Sequence, residues 1–150
     1  MERGPRGPET DILLVEDNPG DVRLTREAFG EAGIENEIRH VSRGSAALDY
    51  LHQREEYADV ERPGIVLLDL NLPGMSGIEV LNEVKGSAEL RDTPVIVLSS
   101  SEDREDVARC YEEYANAYMT KPVDGDEFVD IARSVGNFWI RTVKLPASDY

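Results

Sequence analysis

At 150 residues with 40% of them hydrophobic, the chain has the length of one domain and enough apolar material for a single core. No stretch approaches the ~20 apolar residues of a membrane-spanning helix, and the Gly- and Pro-containing start, residues 1–10, lacks the apolar segment of a secretory signal. A formal charge of −15, from 31 acidic and 16 basic residues, argues against nucleic-acid binding, and the single Cys110 excludes an internal disulfide and a multi-cysteine metal site.

Residues 1–10 read as a disordered lead-in, 11–146 as one domain with an extended C-terminal helix, and 147–150 as a tail. Strand 1 is expected over about 11–16, with Ile12-Leu13-Leu14-Val15 running into Glu16-Asp17. Asp17-Asn18-Pro19-Gly20 turns the chain into a helix that reaches about Ala32 and is ended by Gly33. A weak strand 2 covers about 36–41, and Ser42 is placed to cap a helix carrying Ala46, Ala47, Leu48 and Leu51. The polar stretch 52–63 reads as a helix end and a long loop. Strand 3 runs from Gly64 to Asp69, and after the loop Leu70 to Gly77 a helix turns Val80, Leu81 and Val84 inward. Strand 4, Pro94 to Leu98, leads into Ser99-Ser100-Ser101. A charged helix over about 102–114 is expected to bury Val107, Cys110, Tyr111 and Tyr114. Strand 5 lies at about 115–119. The last helix carries Phe128, Ile131, Val135 and Phe138 at helical spacing, with Trp139 and Val143 widening the stripe.

Short unbroken apolar runs are the mark of strands buried on both faces, and their alternation with helices implies right-handed βαβ crossovers. The expected fold is α/β: a flavodoxin-like, doubly wound, five-stranded parallel sheet in the order 2-1-3-4-5, with helices on both faces. In that order the ligand crevice opens between strands 1 and 3, the two that end in Glu16-Asp17 and Asp69. Carboxylates gathered there raise one another's pKa unless a cation joins them. Mg²⁺ suits the site, since it takes oxygen ligands and keeps waters for a phosphate donor. Lys121 after strand 5 adds a positive charge and Ser99 after strand 4 a hydroxyl. The set describes a pocket for a phosphoryl group, with Asp69 as the nucleophile that forms an acyl phosphate.

Four segments in this order, Val15-Glu16-Asp17-Asn18, Asp69 through Gly77 with its Pro73-Gly74-Met75, Ser99, and Tyr118 through Pro122, resemble the receiver domain of two-component response regulators. The resemblance covers 11 to about 135. It implies that Asp69 is the phosphoacceptor and that Asp17, Asp69 and the Asn71 backbone carbonyl bind Mg²⁺, with Glu16 acting through water. It also implies that Ser99 and Lys121 bind the phosphoryl group, that Ser99 and Tyr118 form the switch, and that the Lys121–Pro122 peptide is cis. The run Leu14-Val15-Glu16-Asp17-Asn18-Pro19, residues 52–63, Asn137-Phe138-Trp139 and Lys144-Leu145-Pro146 are similar to the small regulators paired with phytochrome-type and related sensor histidine kinases. Three positions depart from the common pattern: Glu16 for Asp, Ser99 for Thr, and Ser76 for Asp or Asn.

The expected function is that of a stand-alone, cytoplasmic regulator. It takes a phosphoryl group from a sensor histidine kinase and signals by protein contact or onward transfer, with no membrane or nucleic-acid partner and no enzymatic role beyond its own phosphorylation and dephosphorylation. The Phe138-Trp139-Ile140 cluster suggests a homodimer. The dispersed acids suggest adaptation to a salty cytoplasm more than a basic partner. Two rival readings are a receiver-like binding module that is never phosphorylated and an aspartyl-phosphate hydrolase. The hydrolase needs an acid–base carboxylate two residues after the nucleophile, where this chain has Asn71.

Overall fold

A computed structural model describes residues 11–101, 103–122 and 124–140, the last three without their side chains. The lead-in 1–10, Val143 and the tail therefore lie outside the described residues, as do the side chains of Phe138, Trp139 and Ile140.

Five strands form one parallel sheet in the order β2-β1-β3-β4-β5, as the apolar runs predict. They are β1 (Ile12–Val15), β2 (Ile38–Val41), β3 (Ile65–Leu68), β4 (Val95–Ser99) and β5 (Ala117–Thr120). Helices α1 (Pro19–Glu31), α2 (Gly44–Leu51), α3 (Gly77–Gly86), α4 (Arg104–Glu112) and α5 (Gly125–Ser134) make the crossovers, and a π turn, Val135–Ile140, prolongs α5.

Alternation along the strands divides the core in two. Ile12, Leu14, Ile65, Leu67, Ile96 and Leu98 face α1 and α5, meeting Phe29, Phe128, Val129 and Ala132. Leu13, Val15, Val66, Leu68, Val95 and Val97 face α2, α3 and α4, meeting Leu48, Leu51, Val80, Leu81 and Cys110. Every residue of β1, β3 and β4 is buried. Each aliphatic side chain buried this way contributes about 1.5–3 kcal/mol, which locks the central strands and their register.

Two local expectations are corrected and one is refined. Arg43, not Ser42, is the N-cap of α2, and it makes no side-chain capping bond. The start of this helix is set by packing: a Cβ on Gly44 would lie 2.6 Å from Val80 Cγ2. The loop 52–63 holds a 3₁₀ turn at Glu55–Tyr57. Gln53 Nε2 donates to the Val60 carbonyl at 2.7 Å, Arg62 Nε to the Leu51 carbonyl at 2.8 Å, and the Tyr57 ring leans on Tyr50 with centroids 5.2 Å apart. On α4 Cys110 is buried as expected and Val107 half-buried, but Tyr111 and Tyr114 are exposed. Helix α4 sits over β5, which among the described residues has no strand beyond it, so its C-terminal half has little sheet to cover. Tyr114 instead ends the helix with φ of 67°, a left-handed residue at the C-terminal turn.

Candidate functional site

Register decides what meets at the carboxyl edge of the sheet. Val15 pairs with Leu68, and the Asp69 N–H donates to the Val15 carbonyl at 3.0 Å, so Glu16-Asp17 and Asp69 leave adjacent strands at one level. Ser99 pairs with Thr120, and the Lys121 N–H donates to the Ser99 carbonyl at 2.7 Å. Two pairs of neighbouring strand ends thus bring five predicted residues to one crevice.

Glu16, Asp17 and Asp69 each offer a carboxylate oxygen, and these oxygens lie within 4.8 Å of one another. Glu16 and Asp69 are buried and Asp17 stands exposed at the mouth. An all-oxygen donor set with one open side fits a hard divalent cation such as Mg²⁺, which keeps several waters.

Lys121 runs into the same place. Its Nζ lies 2.6 Å from Glu16 Oε1, 2.8 Å from Asp21 Oδ2 and 3.1 Å from Asp69 Oδ2. The ammonium's three donors are all engaged. Burial alone would lower the Lys121 pKa, but the hydrogen bonds it donates to Asp21 and Glu16 and the charge of Asp69 outweigh it and raise it, so this lysine is a fixed cation. Glu16 is raised as well, but there burial is the main cause. Burial, reinforced by the hydrogen bond and charge of Asp69, lifts it to about 7 against the opposing pull of Lys121 and the Asn18 N–H.

The surrounding loops hold this arrangement from behind. The Asn71 N–H donates to Asp69 Oδ1 at 3.2 Å, which folds the loop after β3 back over the carboxylate. Gly77 lies against that loop so closely that a Cβ there would sit 2.4 Å from the Asp69 carbonyl oxygen. Ser76, a departure from the common pattern, caps α3. Its Oγ accepts from the Glu79 N–H at 3.3 Å, and Glu79 Oε1 accepts from the Ser76 N–H at 3.4 Å. On the far side, His40 Nε2 donates to the Glu16 carbonyl at 2.7 Å, bracing β2 against the end of β1.

Ser99 is fully buried, and its Oγ accepts from the Ser101 N–H at 3.2 Å. Tyr118 is half-buried, and its hydroxyl donates to the Ser101 carbonyl at 2.7 Å. Ser99 and Tyr118 therefore hold the same short loop from two sides. The Tyr118 N–H, on the open edge of the sheet, donates to the Tyr111 hydroxyl at 3.1 Å, which accounts for a tyrosine left exposed on α4.

One expectation about the site is overturned. Among the described residues no peptide is cis, so the Lys121–Pro122 bond is trans. Trans is the lower-energy form of an X–Pro bond by about 0.5–1 kcal/mol, and the trans path already brings Lys121 to its carboxylates. Asp21 is a crevice residue that sequence reasoning missed. Asn18 caps α1, its Oδ1 accepting from the Asp21 N–H at 3.1 Å, and the Asp21 carboxylate goes to Lys121. Its place in the first turn of α1, one turn beyond Asp17, is the signal that could have placed it at the same crevice.

A parallel 2-1-3-4-5 sheet with this acidic cluster and lysine at its switch point defines a doubly wound α/β domain with a polar site where such folds bind ligands. The chain belongs to the response regulator receiver domain family, whose model matches residues 12–133. It is 40% identical to response regulator Rcp1 of Synechocystis sp. over 137 residues, covering 91% of this chain and 93% of that protein. The crystal structure of the phosphorylated cyanobacterial phytochrome response regulator RcpA superposes with a TM-score of 0.88 at 40% identity, covering 93% of this chain and 99% of that one. The Mn²⁺-bound form of Rcp1 gives a TM-score of 0.85 at 40% identity, with 92% and 99% covered. Among the described residues no helix is long and apolar enough to cross a membrane.

Proposed function

We propose that this regulator accepts a phosphoryl group on Asp69 from the phosphohistidine of a sensor histidine kinase, and that it works as a stand-alone receiver in the cytoplasm. The observation that carries the reading is the convergence of the Glu16, Asp17 and Asp69 oxygens within 4.8 Å, with Lys121 Nζ 3.1 Å from Asp69. Asp17, Asp69 and the Asn71 carbonyl would hold Mg²⁺, with Glu16 acting through water, and the ion would supply positive charge to the phosphoryl oxygens.

Asp69 Oδ attacks phosphorus, the phosphohistidine nitrogen leaves, and an acyl phosphate forms on the side chain. Lys121 directs its ammonium at one phosphoryl oxygen and offsets the added charge. Ser99 turns its hydroxyl to another and gives up the Ser101 N–H. The β4–α4 loop follows, and Tyr118, tied to that loop at Ser101, shifts with it and carries the change to α4 and β5. Output is then by protein contact or onward phosphotransfer. A phytochrome-type kinase is the favoured partner, because RcpA is a phytochrome response regulator and matches this chain over nearly its whole length. Homodimerisation through the last helix or the strands belongs to the same reading, and a single monomeric species in cross-linking with and without a phosphoryl mimic removes that part.

Incubation with a small acyl phosphate and Mg²⁺, followed by intact mass, tests the core of the proposal. One phosphoryl group is expected on the wild type and none on Asp69→Asn or in EDTA. No mass gain in the wild type leaves a phosphorylation-independent binding module as the better description.

A further inference from the structure

Lys121 has one more partner than the phosphoryl reading requires. Glu16 and Asp69 leave the ends of β1 and β3, but Asp21 comes from the first turn of α1. That turn is itself well held: Asn18 Oδ1 accepts from the Asp21 N–H at 3.1 Å and Thr25 Oγ1 donates to the Asp21 carbonyl at 2.7 Å. An Asp in a helix's first turn commonly serves the free backbone N–H groups beside it. Here Asn18 meets that need, so the Asp21 carboxylate is free to bond Lys121 across 100 residues of sequence.

The three carboxylates around the ammonium are not equivalent. Glu16 and Asp69 belong to the oxygen cluster suited to a divalent cation, and among the described residues that cluster does not include Asp21. A cation entering the cluster competes with Lys121 for Glu16 and Asp69 and leaves it Asp21.

We propose that Asp21 is a positioning residue that keeps Lys121 beside Asp69 while Glu16 and Asp69 are given over to the metal. The inference rests on the phosphoacceptor reading above. With one donor on Asp21, two N–H bonds of the ammonium remain to meet phosphoryl oxygens. Without Asp21 the ammonium has only the metal-binding carboxylates. It must then either oppose the cation or swing out to water.

The chain holds only three lysines, so ¹⁵N-lysine labelling gives a readable ammonium spectrum. In the wild type the Lys121 ammonium signal is expected to persist when Mg²⁺ saturates the site. In Asp21→Asn it is expected to broaden away on Mg²⁺ addition. Persistence in both proteins, or loss in both, overturns the proposal.

Mn²⁺ affinity at 1 M KCl, where the Debye length is ~3 Å, gives a second readout. Asp21→Asn is expected to weaken binding about fivefold when Lys121 is present and less than about twofold in a Lys121→Met background. Equal loss in both backgrounds, or no loss in either, shows that Asp21 does not act through Lys121. Neither readout involves phosphorylation, so a wild type that takes no phosphoryl group sinks the phosphoacceptor reading while the Asp21–Lys121 coupling is still measured.

Discussion

Glu16 makes the metal-free protein sensitive to pH in a direction opposite to that of most carboxylates. Its pKa rises from the ordinary 4.5 to about 7, first through burial and then through Asp69. At ~1.36 kcal/mol per pKa unit, this is about 3 kcal/mol of preference for the protonated form in the folded state. The folded pKa lies above the unfolded one, so the contribution is fully present below about 4.5 and is lost as pH rises through about 7. Lys121, also raised, keeps its contribution throughout this window. At about 2–4 °C per kcal/mol for a chain near this size, the loss corresponds to roughly 10 °C in Tm. Thermal unfolding followed by circular dichroism in EDTA and 1 M KCl, from pH 4.5 to 8, measures it. Glu16→Gln removes the titrating group, and the wild-type Tm is expected to fall relative to this variant by roughly that amount as pH rises. Mg²⁺ needs the ionised carboxylate, so its stabilisation of the wild type is expected to grow through the same pH range. Parallel Tm profiles for wild type and Glu16→Gln would refute the assignment of a burial-raised pKa to Glu16.

Lys121→Met leaves Glu16 and Asp69 buried without their cation. Calorimetry in EDTA should find it about 3–5 kcal/mol less stable, with part of the loss recovered in Mg²⁺. Gly77→Ala drives a Cβ to 2.4 Å from the Asp69 carbonyl oxygen and 2.6 Å from Leu70 Cα. The displacement is expected to cost about 1–3 kcal/mol in denaturant unfolding and to slow acyl-phosphate labelling of Asp69. Tyr111→Phe takes away the acceptor of the Tyr118 N–H, which water can replace at the sheet edge. Stability should change by less than about 1 kcal/mol, but the Tyr118 amide should exchange faster with deuterium. The charge of −15 predicts a Tm that climbs from low to high KCl as repulsion is screened, and a flat profile would count against salt adaptation.

Much of this protein is written locally. The runs Ile12–Val15, Ile65–Leu68 and Val95–Ser99 are wholly buried, as unbroken apolar segments should be, and the strand order follows from them and the crossover rule. Asp69, Glu16-Asp17, Ser99 and Lys121 were legible as a set because each stands at or just past the carboxyl end of a strand, and parallel strands put those ends together. Tyr111 and Tyr114 were misread because helical periodicity identifies an apolar face without saying how much sheet lies beneath it, and β5 is the edge.

Sequence alone determined the α/β alternation, the five-strand sheet and the residues that border its crevice, since strand burial and side-chain alternation depend on near neighbours in the chain. Only the tertiary structure decided how those residues divide one another's charge. Asn18 takes the helix cap and frees Asp21 for Lys121, the Lys121–Pro122 peptide is trans, and burial beside Asp69 holds Glu16 near neutrality. Hydrogen-bond choice and desolvation are set by distances between groups as far as 100 residues apart in sequence, and no local pattern carries those distances.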